Sequence, residues 1–268
     1  MGVSETAFDG IAQNFADYAQ TTRGYVRYEL THANLQPFLE EKPMSVVDVG
    51  GGSGIDALWL AEQGHTVTVV EPAQDQVELL RKELARHPKN IRQSVEVVQG
   101  STKDIADQAG TFDLVLSHGV AMYVAKPEDF FWSLIHLAKV GGLVSILEKG
   151  YEGTRQRLQS RGDQAALQNL EVTHRFVNNM GREVHAFMPE EILGMVRASG
   201  AKTLKWSGVR VVSDAIDRPI DEMSEAELKQ LVKQEARAGR DLSQRASGQM
   251  LHFIARRREE SPDYPLLW

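Results

Sequence analysis

Cysteine is absent from the 268-residue chain. That excludes a disulfide framework, a thiolate metal site and a cysteine nucleophile. No apolar run approaches the roughly 18 residues that a membrane helix needs. The opening Met1-Gly2-Val3-Ser4-Glu5-Thr6 lacks the basic and apolar regions of a secretory signal. A cytoplasmic protein is expected, although a cysteine-free chain suits an oxidising compartment equally. The eight histidines show no paired spacing such as H-x-x-x-H, so no metal is expected. Positive charge is also short: 30 Lys and Arg against 37 Asp and Glu leave a net charge of −7. An acidic chain argues against general nucleic-acid affinity. The deficit is local, however. Residues 151–268 hold 18 basic against 17 acidic residues, which leaves 12 against 20 in residues 1–150. The C-terminal part is therefore near neutral, and its basic clusters are free to contact phosphates.

What is present is organised around Met44-Ser-Val-Val-Asp-Val-Gly-Gly-Gly-Ser-Gly-Ile-Asp56. A β-branched run, Val46-Val47-Asp48-Val49, breaks into four glycines within five positions and then into a helical pattern. This reads as a buried strand, a tight turn and a helix start. A dinucleotide fingerprint would place its third glycine at relative position six. Here Ile55 stands there, so the helix start carries no dedicated pyrophosphate cradle. The next apolar run, residues 66–70, closes on Glu71, a carboxylate placed to accept hydrogen bonds from a ribose diol. Acidic strand end, G-x-G-x-G turn and second-strand carboxylate together resemble the S-adenosylmethionine site of class I methyltransferases. The alternative is a structural turn with a surface glutamate.

Around this stretch the pattern alternates strand and helix, which implies a parallel sheet with right-handed crossovers. Two helices in residues 5–40 precede it, the first carried by Phe8, Ile11 and Phe15, the second starting near Thr22. Residues 1–43 are expected to form an N-terminal helical cap and residues 44–268 the main domain. Strands are expected at 45–49, 66–70, 95–98, 114–117 and 143–147. Helices are expected at 55–63, 73–86 and 127–137. Residues 151–182 are polar and read as a helical or mobile segment. A helix at 189–199, a strand at 204–212, a charged helix at 224–240 and a strand at 250–256 follow. Two late strands without room for a crossover suggest an antiparallel pair at one edge, completing a Rossmann-like seven-stranded α/β sheet.

Several residues sit where such sheets bind ligands, at the carboxyl ends of the strands. Ser101, Thr102, Lys103 and Asp104 follow strand three and either cradle an adenine or form a solvated helix cap. His118 ends strand four and either contacts the methionyl part of the cofactor, acts as a base, or is a hydrogen-bonded strand-end histidine. Arg27 and Arg210 offer forks that bind carboxylates bidentately. Arg27 suits the methionyl carboxylate and Arg210 an anionic substrate, with surface ion pairs as the alternative.

A narrower likeness is carried by Phe8-Asp9-x-Ile11-Ala12-x-x-Phe15, Thr21-Thr22-x-Gly24-x-x-Arg27, Gly50-Gly51-Gly52 and Leu116-x-His118. Gly208-Val209-Arg210-Val211 with Asp214, and Leu251-His252-x-Ile254-Ala255-Arg256, extend it. Over residues 7–257 the chain resembles the bacterial tRNA 5-carboxymethoxyuridine methyltransferases. The resemblance implies S-adenosyl-L-methionine as cofactor, bound by Arg27, Gly50, Gly51, Gly52, Glu71, Thr102, Lys103 and His118, with Glu71 where the family has aspartate. It implies methylation of a carboxylate or hydroxyl oxygen, with a modified wobble uridine of tRNA as the leading acceptor. The family's lysine run after strand five is replaced here by residues 177–182. A small-molecule methyltransferase of the same fold is therefore the second expectation, and a cofactor-binding module without catalysis the third.

Overall fold

A computed structural model describes residues 17–215 and 219–259. The helix expected around Phe8, Ile11 and Phe15 lies outside the described residues. In chain order the elements are α1 (Thr22–Leu35), β1 (Ser45–Val49), α2 (Ile55–Glu62), β2 (Thr66–Glu71), α3 (Gln74–Leu84), α4 (Lys89–Ser94), β3 (Val95–Gln99) and β4 (Phe112–His118). Then come α5 (Pro127–Leu137), β5 (Ala138–Lys149), α6 (Tyr151–Ser160), α7 (Gln164–Thr173), β6 (Arg175–Val177), β7 (Glu183–His185), α8 (Pro189–Ala198), β8 (Ala201–Val209), α9 (Glu225–Ala238) and β9 (Met250–Arg257). Helix α1 starts at Thr22, with Thr21 rather than Thr22 as the N-cap, its hydroxyl accepting from the Gly24 N–H at 3.0 Å.

The strands form one sheet in the order β3-β2-β1-β4-β5-β9-β8. The first five are parallel, while β9 runs antiparallel to both β5 and β8. The seven-stranded sheet with an antiparallel C-terminal edge is thus as expected. Alternation along the strands sends side chains to two cores. Val46, Leu114 and Leu116 join Leu58, Leu60 and Leu80 on one face. Val47, Val49 and Val115 join Phe131, Phe187 and Phe253 on the other, where Val26 and Leu30 of α1 also pack. Strand order reverses between β1 and β4, which opens a crevice at their carboxyl ends.

Two expectations are corrected. First, β5 begins at Ala138 rather than after a turn at Val140-Gly141-Gly142. A register shift between Phe112 and Leu114 absorbs the glycines, with Gly141 at φ 81°, so the chain bulges without leaving the sheet. Second, β8 spans Ala201–Val209 rather than 204–212 and leaves Arg210 outside the strand at φ 60°. The strand ends there because the Glu235 carboxylate, on α9, takes the N–H groups of Val211 and Val212 at 2.8 and 3.0 Å and that of Ser213 as well. Of the alternatives for residues 151–182 the helical one holds: they form α6, α7 and β6, and β6 pairs with β7 in a separate hairpin. Among the described residues no helix is long and apolar enough to cross a membrane.

Candidate active site

The turn after β1 is shaped by two close approaches. Gly50 adopts φ 71°, and an added Cβ would stand 2.5 Å from Val120 Cγ2. Gly54 caps α2 at φ 84°, where a Cβ would stand 2.3 Å from Leu80 Cδ1. The glycines therefore admit both the loop after β4 and the packing of α2 on α3. Glu71 closes β2 against this turn. One of its carboxylate oxygens accepts the Gly52 N–H at 3.0 Å and the other the Ala73 N–H at 2.9 Å. Burial raises the Glu71 pKa, and these two backbone donors offset part of the rise.

Beneath the turn, Asp48 is buried with Oδ2 unpartnered among the described residues. Burial pushes its pKa well up, and the charges of Asp56 and Glu71 push it further. Asp56, in the first turn of α2, meets two histidines. Its Oδ1 lies 2.7 Å from His32 Nε2 and its Oδ2 lies 2.9 Å from His118 Nδ1. Burial alone would raise the Asp56 pKa, but the two imidazoles hold it well below the usual carboxylate range. His118 Nε2 lies 2.9 Å from Ser145 Oγ, which in turn lies 2.8 Å from His252 Nε2. Both ring nitrogens of His118 are therefore engaged, which removes the base role considered for it. Its carbonyl oxygen accepts from Arg27 Nη2 at 3.2 Å, so Arg27 is laid across the end of β4.

The loop after β4 is held by Glu148. Its carboxylate accepts the N–H groups of Val120, Ala121 and Met122 at 3.2, 2.8 and 2.9 Å. Burial pushes Glu148 up to about 8 despite these bonds. The adjacent Lys149 points the other way, donating to Gln249 Oε1 at 3.1 Å. Burial, then the neighbouring Arg157 and Arg210, hold its pKa well below the ordinary lysine value.

Asp48, Asp56, Glu71, His118 and Lys149 line one cleft of about 810 Å³, with His32, Ser145, Glu148 and His252 outside its lining. Arg27, Gly50, Gly51, Gly52, Glu71, His118 and Arg210 all contribute to it, as expected of one site. Thr102 and Lys103 are not brought into its lining. They open the turn Thr102–Gln108 after β3, where Ser101 and Asp104 form a capping box, with the Ser101 N–H donating to Asp104 at 2.8 Å. Of the alternatives for this segment, the helix cap is what the structure places there. Arg210 is already paired: Nε and Nη2 donate to Asp214, and Nη1 donates to Tyr18 OH at 3.0 Å.

Sequence reasoning missed Asp56, Glu148, Lys149 and Arg157, all at this cleft or behind its lining. An acid in the first turn after a glycine loop was a signal available for Asp56; Arg157 sits in a polar stretch and carried none. Elsewhere, His174, His185 and Glu191 bring their ligand atoms within 4.8 Å of one another from three separate elements, a juxtaposition that spacing in sequence does not display.

The cleft fits a polar, elongated cofactor. Asp48 Oδ2, Gln76 Oε1 and Arg27 Nε are buried polar atoms without partners among the described residues, and all three residues line it. An added Cβ at Gly51 would stand 2.6 Å from Asp48 Oδ2, so that position too is kept clear.

Comparison with known proteins agrees. Residues 47–146 match the family model described as a methyltransferase domain. The chain is 29% identical over 145 residues to the tRNA 5-carboxymethoxyuridine methyltransferase of Escherichia coli K12, covering 52% of this chain and 55% of that protein. It is 29% identical over 103 residues to a ubiquinone biosynthesis O-methyltransferase of Rhizobium leguminosarum, covering 38% and 39% respectively. The matches thus span about half or less of these relatives' length. A possible histamine N-methyltransferase of Thermotoga maritima superposes with a TM-score of 0.61 at 16% identity, over 94% of this chain and 98% of that one. A methyltransferase from Haloferax volcanii, solved with the activator Trm112, gives 0.62 at 15% identity over 93% and 95%. The fold is that of class I methyltransferases.

Proposed function

We propose, from the methyltransferase domain formed by residues 47–146, that the chain transfers the methyl group of S-adenosylmethionine to an oxygen acceptor. The observation that carries this is Glu71, at the end of β2, facing a glycine turn at the switch point of the sheet. Bound there, S-adenosylmethionine supplies a methyl group on a positively charged sulfur. Glu71 would receive the ribose hydroxyls, and Gly50, Gly51 and Gly52 allow close backbone approach. Arg27, fixed on the His118 carbonyl, would bind the methionyl carboxylate through its fork. Asp48 Oδ2 and Gln76 Oε1 are acceptors without donors among the described residues. The adenine end would extend past the lined cleft towards Thr102 and Lys103.

The chain's contribution to the reaction is positioning. Holding two reactants aligned is worth a large part of a displacement barrier, of order 7–11 kcal/mol in well-oriented cases. Glu148 fixes the loop of Val120, Ala121 and Met122 that walls the cleft, and Asp56 fixes His32 and His118. His118 is engaged at both nitrogens, which suits an acceptor that arrives ionised and needs no base. A carboxylate meets that condition at neutral pH.

Two acceptor classes follow from the relatives. A modified wobble uridine of tRNA is supported by the Escherichia coli relative. A small-molecule acceptor is supported by the ubiquinone O-methyltransferases and by the hairpin turn, whose Asn178, Asn179 and Met180 line the cleft. On the tRNA reading the protein would act in the cytoplasm. Labelled S-adenosylmethionine offered in parallel to bulk bacterial tRNA and to a small-metabolite extract tests both. Label in tRNA, lost in tRNA that lacks the carboxymethoxyuridine precursor, supports the first; label only in small molecules supports the second. Label in neither overturns the proposed activity.

A further inference from the structure

Among the described residues five cations line the cleft: Arg23, Arg27, Lys149, Arg157 and Arg210. Three have assigned work, since Arg23 and Arg27 donate to the backbone carbonyls of Asp214 and His118 and Arg210 is neutralised by the Asp214 carboxylate. The other two are under-used. Arg157, on α6, has a buried Nε without a hydrogen-bond partner among the described residues. Its guanidinium carbon lies 5.7 Å from the centre of the Phe176 ring. Lys149 Nζ lies 5.9 Å from the same ring centre and, among the described residues, makes a single hydrogen bond, to Gln249, of the three an ammonium can donate. Burying positive charge without an anion is costly, and here two basic groups converge on one aromatic ring inside a cleft. Met122, Val184 and Met250 supply apolar surface to the same cleft.

We infer that Arg157 and Lys149 form an anion subsite above Phe176, which holds the carboxylate or phosphate of a small acceptor with an apolar body. This rests on the methyltransferase reading and moves the substrate-holding role away from Arg210. Its surroundings sharpen the expected behaviour. The groups acting on Lys149 are Arg157 and Arg161 of α6 together with Arg210, and Asp214 is the one acid opposing them. Gln249, before β9, is neutral. Burial, with Arg161, Arg210 and Arg23, also brings Arg157 down to about 10. An arriving anion offsets these cations and favours the charged form of Lys149.

The test uses the full chain loaded with S-adenosylhomocysteine, titrated calorimetrically with benzoate, phenyl phosphate and benzyl alcohol. At least one acid is expected to bind tenfold or more tightly than the alcohol, in line with a charge-assisted pair. The better acid identifies carboxylate or phosphate as the matching group. Arg157→Gln and Lys149→Met should each weaken that acid about tenfold while leaving S-adenosylhomocysteine affinity unchanged, and Arg157→Lys should recover part of the loss. Acids that bind no better than the alcohol, or an affinity indifferent to Arg157→Gln, overturn the subsite. Arg157-dependent binding of bulk tRNA without binding of either acid overturns the small acceptor. Failure to bind S-adenosylhomocysteine would instead sink the methyltransferase reading beneath it.

Discussion

Asp56 bridges His32 and His118, at 2.7 and 2.9 Å, and so ties α1 to the end of β4 across the glycine turn. The bridge is buried and its carboxylate is held ionised by the two imidazoles. Asp56→Asn keeps the shape and removes the charge. Breaking a buried charged network by removing one partner costs about 3–5 kcal/mol, so a loss of that order is expected in denaturant unfolding. A depressed carboxyl pKa stabilises the fold above the unfolded value near 4 and loses that contribution as pH falls through the folded value. The gap between wild type and Asp56→Asn should therefore narrow in acid. A gap independent of pH would show that the bridge is not ionic.

Glu71→Gln retains the size of the side chain and removes the charge expected to receive the ribose. The Gly52 and Ala73 N–H groups keep an acceptor on the amide oxygen only, one at a time. Charge-assisted hydrogen bonds are worth about 1.5–3 kcal/mol, so S-adenosylhomocysteine should bind roughly 10- to 100-fold more weakly in calorimetry. Unchanged affinity would remove Glu71 from the cofactor site.

How much of this was open to sequence reading depended on distance along the chain. The β1 strand, its glycine turn and α2 are one local unit, and their periodicities appear within 20 residues of each other. Glu71 was accessible for the same reason, as the acid that ends the next apolar run. Asp56 met His118 across 62 residues, and no local pattern announces such a pairing. Arg210 was placed inside a strand because Val209, Val211 and Val212 read as one. The carboxylate that ends the strand, Glu235, comes from a helix more than 20 residues later. Lys149 and Arg157 lay in polar sequence, where an isolated cation is most often solvated; only the fold turned them towards one ring.

Arg210→Ala separates the two readings of that arginine. Removing a side chain that donates to Asp214 and Tyr18 leaves a partly buried acid unpaired. A stability loss of about 1–3 kcal/mol is expected, measurable as a lower thermal midpoint. If Arg210 holds the substrate itself, KM should rise more than tenfold while the thermal midpoint stays where it was.

Glu148 supplies the pH dependence that runs the other way. Its folded pKa, about 8, stands above its ordinary value of 4.5, so between these limits the folded chain keeps a proton that the unfolded chain has released. Stability should fall as pH rises across that window, by up to about 1.4 kcal/mol per pH unit from this group alone, and level off above it. Glu148→Gln removes the titration and keeps one acceptor for the Val120, Ala121 and Met122 N–H groups. Its stability curve should be flatter than the wild type between pH 4.5 and 8. Because those N–H groups fix a wall of the cleft, the variant should also bind S-adenosylhomocysteine more weakly at every pH. Parallel stability curves for the two proteins would mean that Glu148 is ionised throughout and that another group sets the slope.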